Sequence, residues 1–196
     1  MQAFNSEEFN RLVRNRRSIY PNMYNSKPVE GRIINMILEN ANWAPNHKHT
    51  EPWRFVVFTG DGLKKLAEFQ GDLYKKVSIK KGTYKETTHA KLMSKPMMAS
   101  HIISIGLKRD PKQSIPEIEE ILAIGCAIQN IYLTATSNNI GCYMSTGGVT
   151  YFDEAKEFFG LNQEDKLLGF MYLGNTDVKP FDGKRRPWQD KVRWEN

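Results

Sequence analysis

Only two cysteines, Cys126 and Cys142, occur in the 196-residue chain. They cannot make a disulfide framework, and no Cys-x-x-Cys pair is present for zinc, so a reducing, cytoplasmic setting is expected. No run approaches the ~18 apolar residues needed to span a bilayer. The opening MQAFNSEEFN has neither a basic start nor an apolar stretch, so a secretory leader is not expected. No repeat of 20–50 residues and no low-complexity segment appears. GxGxxG, GxxxxGK[ST], HExxH and GxSxG are all missing, and no catalytic dyad or triad is visible.

What remains is a globular composition. Hydrophobic residues make up 40%, aromatics 11% and charged residues 26%, which suits a packed core and excludes disorder. The length is that of one domain, 1–196. The 28 Lys+Arg against 22 Asp+Glu leave a net charge of +6. That favours nucleic acid, a membrane surface or anionic small molecules such as phosphorylated cofactors. The basic concentrations at 75–85 and 184–193 do not interleave with aromatics, which argues against nucleic acid.

The periodicity predicts a helix over 6–15, capped by Ser6, and a second that opens at Pro28 and ends before Pro45. WRFVVFT (53–59) reads as a strand and 61–80 as a helix. Residues 81–95 are polar and basic and read as a mobile loop or short helix. Met97–Leu107 suits a buried strand, with His101 as a core histidine. Lys108-Arg109-Asp110-Pro111 is a turn signal, with Arg109 solvated. Ser114 and Glu117 form a capping box, with Pro116 in the first turn of a helix reaching about Asn138. That helix is apolar on most sides, as a core helix or a subunit interface would be. Cys142–Ser145 reads as a strand, Thr146-Gly147-Gly148 as a tight turn, 153–159 as a short helix and 167–173 as the last strand. The tail 174–196, with Pro180, Pro187, Trp188 and Trp194, is too long and aromatic to be idle. The class is α+β, without the regular alternation of a doubly wound fold.

Two constellations carry chemistry. Arg16-Arg17-Ser18 follows the first helix, and guanidinium forks with a hydroxyl are good phosphate ligands. Trp43 to Phe55 is a loop made rigid by two prolines, presenting Trp, Asn, His and Lys where a planar ligand could meet an aromatic wall. His47 and His49 alternate as metal ligands can, but no carboxylate or cysteine partner accompanies them, so no metal is expected.

Taken in order, RRS, helix, WAPNHKHTEPWRFVVF, long apolar helix, GCYMSTGG, LLGFMYLGN and KRRPW resemble the FMN-dependent nitroreductase family, over about residues 6 to 195. The small subgroup with an APxHKxxxPW loop is the most similar. The resemblance implies a nitroreductase-like α+β fold: a central, mostly antiparallel sheet, long helices around it, and a C-terminal tail packed on the partner subunit. It implies a homodimer with two FMN sites in the interface. It implies NAD(P)H as reductant and a nitroaromatic, quinone or similar small acceptor, in a ping-pong mechanism. A flavin-dependent reductive dehalogenase or dehydrogenase of the same fold is the alternative, and a non-catalytic basic binding protein is the alternative from another class.

By the same resemblance, Arg16 and Ser18 hold the flavin phosphate, with Arg17 between them and Arg185 reaching it from the tail. Trp43 and His47 belong to a loop that approaches the flavin of the other subunit. Met144, Ser145 and Thr146 line the ring or its ribityl chain, and no protein group is expected to act as nucleophile because the cofactor carries the redox chemistry. The chain departs from its relatives at three places. Some relatives place a lysine near the flavin pyrimidine where Tyr20 stands. The subgroup often has arginines where Trp43 and Ser145 stand. The cluster Lys184–Arg186 offers replacement charge.

Overall fold

Four antiparallel strands lie in the order β1, β2, β4, β3: β1 is Trp53–Thr59, β2 His101–Leu107, β3 Ile140–Ser145 and β4 Lys166–Asn175. The computed structural model describes residues 4–179 and 181–195. The first three residues of the opening segment and Pro180 of the tail lie outside that range. The strands β2 and β4 are central and covered on both faces, which is why they read as continuous apolar runs rather than as alternation.

Along β2, Ile103, Ile105 and Leu107 enter one core and Ile102 the other. The first core is closed by α2 (Gly31–Asn42) and α5 (Glu117–Ser137), whose Ile33, Ile37, Ile124 and Ile131 are buried. The second is closed by α3 (Asp61–Lys80) and a 3-10 turn at Asp153–Phe159. Phe58, Phe69, Phe158 and Phe159 pack there as stacked and edge-to-face pairs, with centroids 3.8 to 6.1 Å apart. The expected α+β architecture is therefore present.

Several boundaries differ from expectation, each for a local reason. The helix α1 (Ser6–Asn15) is capped by Asn5, whose side-chain oxygen accepts from the N–H groups of Glu7 and Glu8 at 3.0 and 3.1 Å. The second helix starts at Gly31, not Pro28. The carbonyls of Lys27 and Pro28 are bound by Asn175 Nδ2, and the Val29 N–H donates to Ser100 Oγ, which keeps that segment extended. The strand β2 starts at His101, because Pro96 sets a 3-10 turn over Lys95–Met98 and leaves Met97 and Met98 exposed. Within 81–95, residues Glu86–Ser94 form α4.

The helix α5 has no capping box. Its cap is Pro116, and Ser114 Oγ donates instead to Asp110 Oδ2 at 2.6 Å. Arg109 is not solvated either. Its side chain is 12% exposed and that of Glu120 is 1% exposed; Nε lies 2.9 Å from Glu120 Oε2, held by charge without the alignment of a hydrogen bond. Glu117 pairs with Arg109 and Lys166 at 3.4 and 3.3 Å. The first turn of α5 is thus fixed by a partly buried ion network. The helix has the length and composition of a bilayer span, but its packing is that of a core helix on one face. On the other face Ile118 (61%), Leu122 (63%) and Cys126 stay exposed.

Candidate functional site

The site assembles around a residue that no motif marks. Tyr132 sits near the end of α5, and its hydroxyl accepts from Met144 N–H at 2.9 Å and lies 3.5 Å from Ser18 Oγ. The Arg16 guanidinium lies over the Tyr132 ring, 4.9 Å from its centroid, and makes no ion pair among the described residues. Ser18 is brought against the sheet because the next residue, Ile19, donates its N–H to the Cys142 carbonyl of β3. The sequence therefore folds so that the RRS segment runs beside the end of an edge strand. Burial raises the Tyr132 pKa, partly offset by its hydrogen bond to Ser18, so the hydroxyl stays protonated.

Arg16, Ser18 and Met144 are thus brought together. Arg17 is turned elsewhere: its guanidinium donates to the carbonyls of Arg14, Arg16 and, across to the tail, Phe181 at 2.8 Å. Ser145 and Thr146 follow Met144 at the end of β3. At Gly147 nothing lies within 4 Å of where a side chain would begin, so the backbone there is open to a ligand. Arg185 lies in the exposed tail and donates to its neighbour, the Lys184 carbonyl. Position 20, where some relatives carry lysine, holds Tyr20, whose ring lies 4.6 Å from that of Tyr143.

Trp43 closes α2, is 79% exposed and lines a small surface hollow with Asn130, Leu133 and Thr134 of α5. His47 is at the other end of α5. His47 Nδ1 lies 2.5 Å from Glu119 Oε2 in the first turn of α5. Residues 119 and 132 are about 20 Å apart along the helix axis, so within one chain His47 does not meet the Arg16 cluster. The loop is strained as well as rigid: Lys48, His49 and Glu51 all have positive φ, which for non-glycine residues marks a conformation imposed by its surroundings. Among the described residues no group of three His, Cys, Asp or Glu is placed to hold a metal.

A groove of about 1000 Å³ lies apart from this cluster, between α1 and the end of α5, where Phe4, Phe9 and Leu12 line it. Its walls are mostly apolar. The chemistry-bearing groups are instead at the open end of β3, where the turn before β2 contributes Lys95, its Nζ 3.4 Å from Ser145 Oγ.

The comparisons with known proteins agree with this architecture. The family model described as "Nitroreductase family" matches residues 13–175. The Bacillus subtilis (strain 168) protein YfhC, named for NAD(P)H nitroreductase activity, is 27% identical over 184 residues, 92% of this chain and 90% of its own. A solved nitroreductase-like family protein from Bacillus cereus superposes with a TM-score of 0.80 at 26% identity, covering 100% of this chain and 98% of that one. A structure from Desulfovibrio desulfuricans, described as a nitroreductase in complex with FMN, has a TM-score of 0.73 at 20% identity and 99% coverage of both chains. The chain belongs to the nitroreductase family.

Proposed function

We propose that the chain is an FMN-dependent oxidoreductase that uses NAD(P)H to reduce nitroaromatics, quinones or similar small acceptors. The observation that carries this reading is Arg16: a half-buried guanidinium on the Tyr132 ring, without an acidic partner among the described residues, beside the Ser18 hydroxyl and the open turn after β3. That set fits a phosphate followed by a flat group. The family membership and the FMN-bound relative from Desulfovibrio desulfuricans point the same way.

In this reading Arg16 and Ser18 bind the phosphate, and Arg17 holds the tail through Phe181. Met144, Ser145 and Thr146 line the flavin, and Arg185 adds charge from the tail. FMN supplies hydride transfer. The protein binds and orients it, so no protein nucleophile is required. The assembly is a homodimer. Its support is the exposed Ile118 and Leu122 stripe of α5, together with the exposed Trp43, Trp188 and Trp194. Across such an interface Trp43 and His47 would meet the partner's flavin, and the distance of His47 from Arg16 within one chain supports this.

The test is spectroscopic first. The purified protein is expected to be yellow, with one FMN per chain released on denaturation. Steady-state kinetics with NAD(P)H and a quinone are expected to give parallel double-reciprocal lines, because one groove serves both substrates in turn. A protein that stays colourless after incubation with FMN overturns the flavin reading and leaves a binding protein. Intersecting lines overturn the single groove.

A further inference from the structure

The basic stretch 75–91 has no part in the Arg16 cluster. It holds six lysines, Lys75, Lys76, Lys80, Lys81, Lys85 and Lys91, against one acid, Glu86, and so carries five of the chain's six net positive charges. All six are exposed, and none forms an ion pair among the described residues. Glu86 is engaged elsewhere: it accepts from the Tyr84 hydroxyl at 2.6 Å and lies 3.9 Å from His89 Nδ1. Lysines at the C-terminal end of a helix answer its dipole, which accounts for Lys80, Lys81 and Lys91 as charges. The dipole does not account for Lys85, which stands at the opposite, positive end of α4. Nor does it explain why Lys81 seats its Nζ over the Phe152 ring, 5.3 Å from the centroid.

Two contacts place these lysines relative to the open end of β3. Leu92, near the end of α4, lies over Gly148, in the turn after β3. Lys81, at the end of α3, meets Phe152, four residues beyond Gly148. The turn 148–152 therefore runs along the α3–α4 hairpin, from the open end of β3 to the lysines. Lys85 and Leu92 are about 10 Å apart along the axis of α4. Tyr151 stands in that turn, 77% exposed. A free aromatic plate beside a fixed cation suits a purine whose ribose carries a phosphate. The acid after Phe152, Asp153, pairs with Lys156 at 2.8 Å rather than with Lys81. Gly82 turns the chain at φ 65°, and the Lys85 N–H donates to Tyr74 Oη at 3.1 Å, so the backbone that carries both lysines is set in advance.

We infer that the α3–α4 turn and Tyr151 form the adenosine subsite for the reductant: Tyr151 stacks on the purine, and Lys81 and Lys85 bind the 2′-phosphate that NADPH carries and NADH lacks. NADPH is then the preferred reductant. This deepens the oxidoreductase reading above and rests on it. The nicotinamide end reaches the open end of β3 while the adenosine end stays at the lysines. Both lysines are specificity residues remote from the reacting atoms, so they act on KM and not on kcat.

The test uses the FMN-loaded protein and a probe that needs no turnover, adenosine 2′,5′-bisphosphate, with 5′-AMP as the probe that lacks the 2′-phosphate. Calorimetry is expected to show the bisphosphate binding about tenfold more tightly than AMP, with the difference shrinking as salt is raised. Lys81→Ala and Lys85→Ala are each expected to weaken bisphosphate binding about three- to tenfold and to leave AMP unchanged. Tyr151→Ala should weaken both probes, and Tyr151→Phe should keep both. In turnover, Lys81→Ala should raise the KM for NADPH by a similar factor at unchanged kcat, and leave the KM for NADH as it was. Lys64→Ala, about 25 Å away along the axis of α3, is the control for net charge and should change neither. Equal binding of the two probes by the wild type, or an equal loss in Lys64→Ala, overturns the proposal while the flavin reading stands. A chain that takes up no FMN fails the flavin reading instead. Bisphosphate binding that is lost in Lys81→Ala would still carry the subsite in that case, and its absence would overturn it.

Discussion

Met144 N–H and Tyr132 Oη are joined by a hydrogen bond of 2.9 Å, and Ser18 Oγ lies 3.5 Å from the same oxygen. One phenol therefore fixes the end of β3 relative to the segment after α1. Tyr132→Phe keeps the ring under Arg16 but leaves the Met144 N–H without its partner. A part-buried unpaired donor costs roughly 1–2 kcal/mol. Urea unfolding should show a lower midpoint at unchanged slope. An unchanged midpoint would mean that water replaces the phenol.

Arg16 and Arg17 are neighbours with different employment, and binding should separate them. Loss of a charge-assisted phosphate contact at a partly buried site is worth on the order of 1.5–3 kcal/mol, or about ten- to hundredfold in affinity. Arg16→Ala is expected to weaken FMN binding by that factor. Arg17→Ala is expected to weaken it less, because its donors serve the carbonyls of Arg14, Arg16 and Phe181. Fluorescence titration of the two apo-variants with FMN measures both. Equal losses would show that Arg17 reaches the phosphate when ligand binds.

The exposed stripe of α5 gives a test that needs no cofactor. Cys126 lies on it and Cys142 is buried. In a native homodimer neither thiol should react quickly with an aromatic disulfide reagent, whereas two should react after denaturation. Leu122→Asp places a charge in the stripe, and is expected to yield a monomer by light scattering with one fast-reacting thiol. A wild-type chain that already shows one fast thiol and a mass of 22.6 kDa would dismiss the dimer.

His101 opens β2 half-buried, its Nδ1 2.9 Å from Ser100 Oγ, and burial lowers its pKa below the ordinary 6.5. The unfolded chain then takes up a proton more readily than the folded one. Stability from this group is complete above about pH 6.5 and declines as the pH falls below it. The melting temperature of the wild type should drop more between pH 7.5 and pH 5.5 than that of His101→Gln. Identical drops would leave the acid sensitivity to other groups.

The fold was largely legible because its periodic signals are strong. The apolar stripe Ile33, Ile34, Ile37 and Ala41, the β-branched run of β1 and the apolar length of α5 all agree with the elements they form. The boundaries were less legible where a side chain found a better partner than its helix offered. Ser114 prefers Asp110, and Asn175 claims the carbonyls after Lys27. Arg109 looked solvated because its neighbours Lys108, Asp110 and Pro111 are turn residues, while its acid, Glu120, lies a helical turn into α5. The site was half legible. Arg16 and Ser18 carry a local signal, but Tyr132 and Lys95 act through contacts between segments far apart in the chain. Within an apolar helix Tyr132 counts as one more hydrophobe, and Lys95 sits in a stretch of polar residues that reads as surface.

The helix α4 contributes no fully buried residue, yet it is seated at two points. The side chain of Met93 occupies the space a side chain at Gly71 would need, and Leu92 lies over Gly148, just past the turn that follows β3. Of the α4 side chains, Leu92 packs on the margin of the second core, and the first core has none of them. Selection can therefore rewrite the outward residues of α4 while folding stability stays nearly constant. Closely related chains should diverge at those outward positions sooner than in melting temperature, with Gly71 and Gly148 as the two positions that drift least.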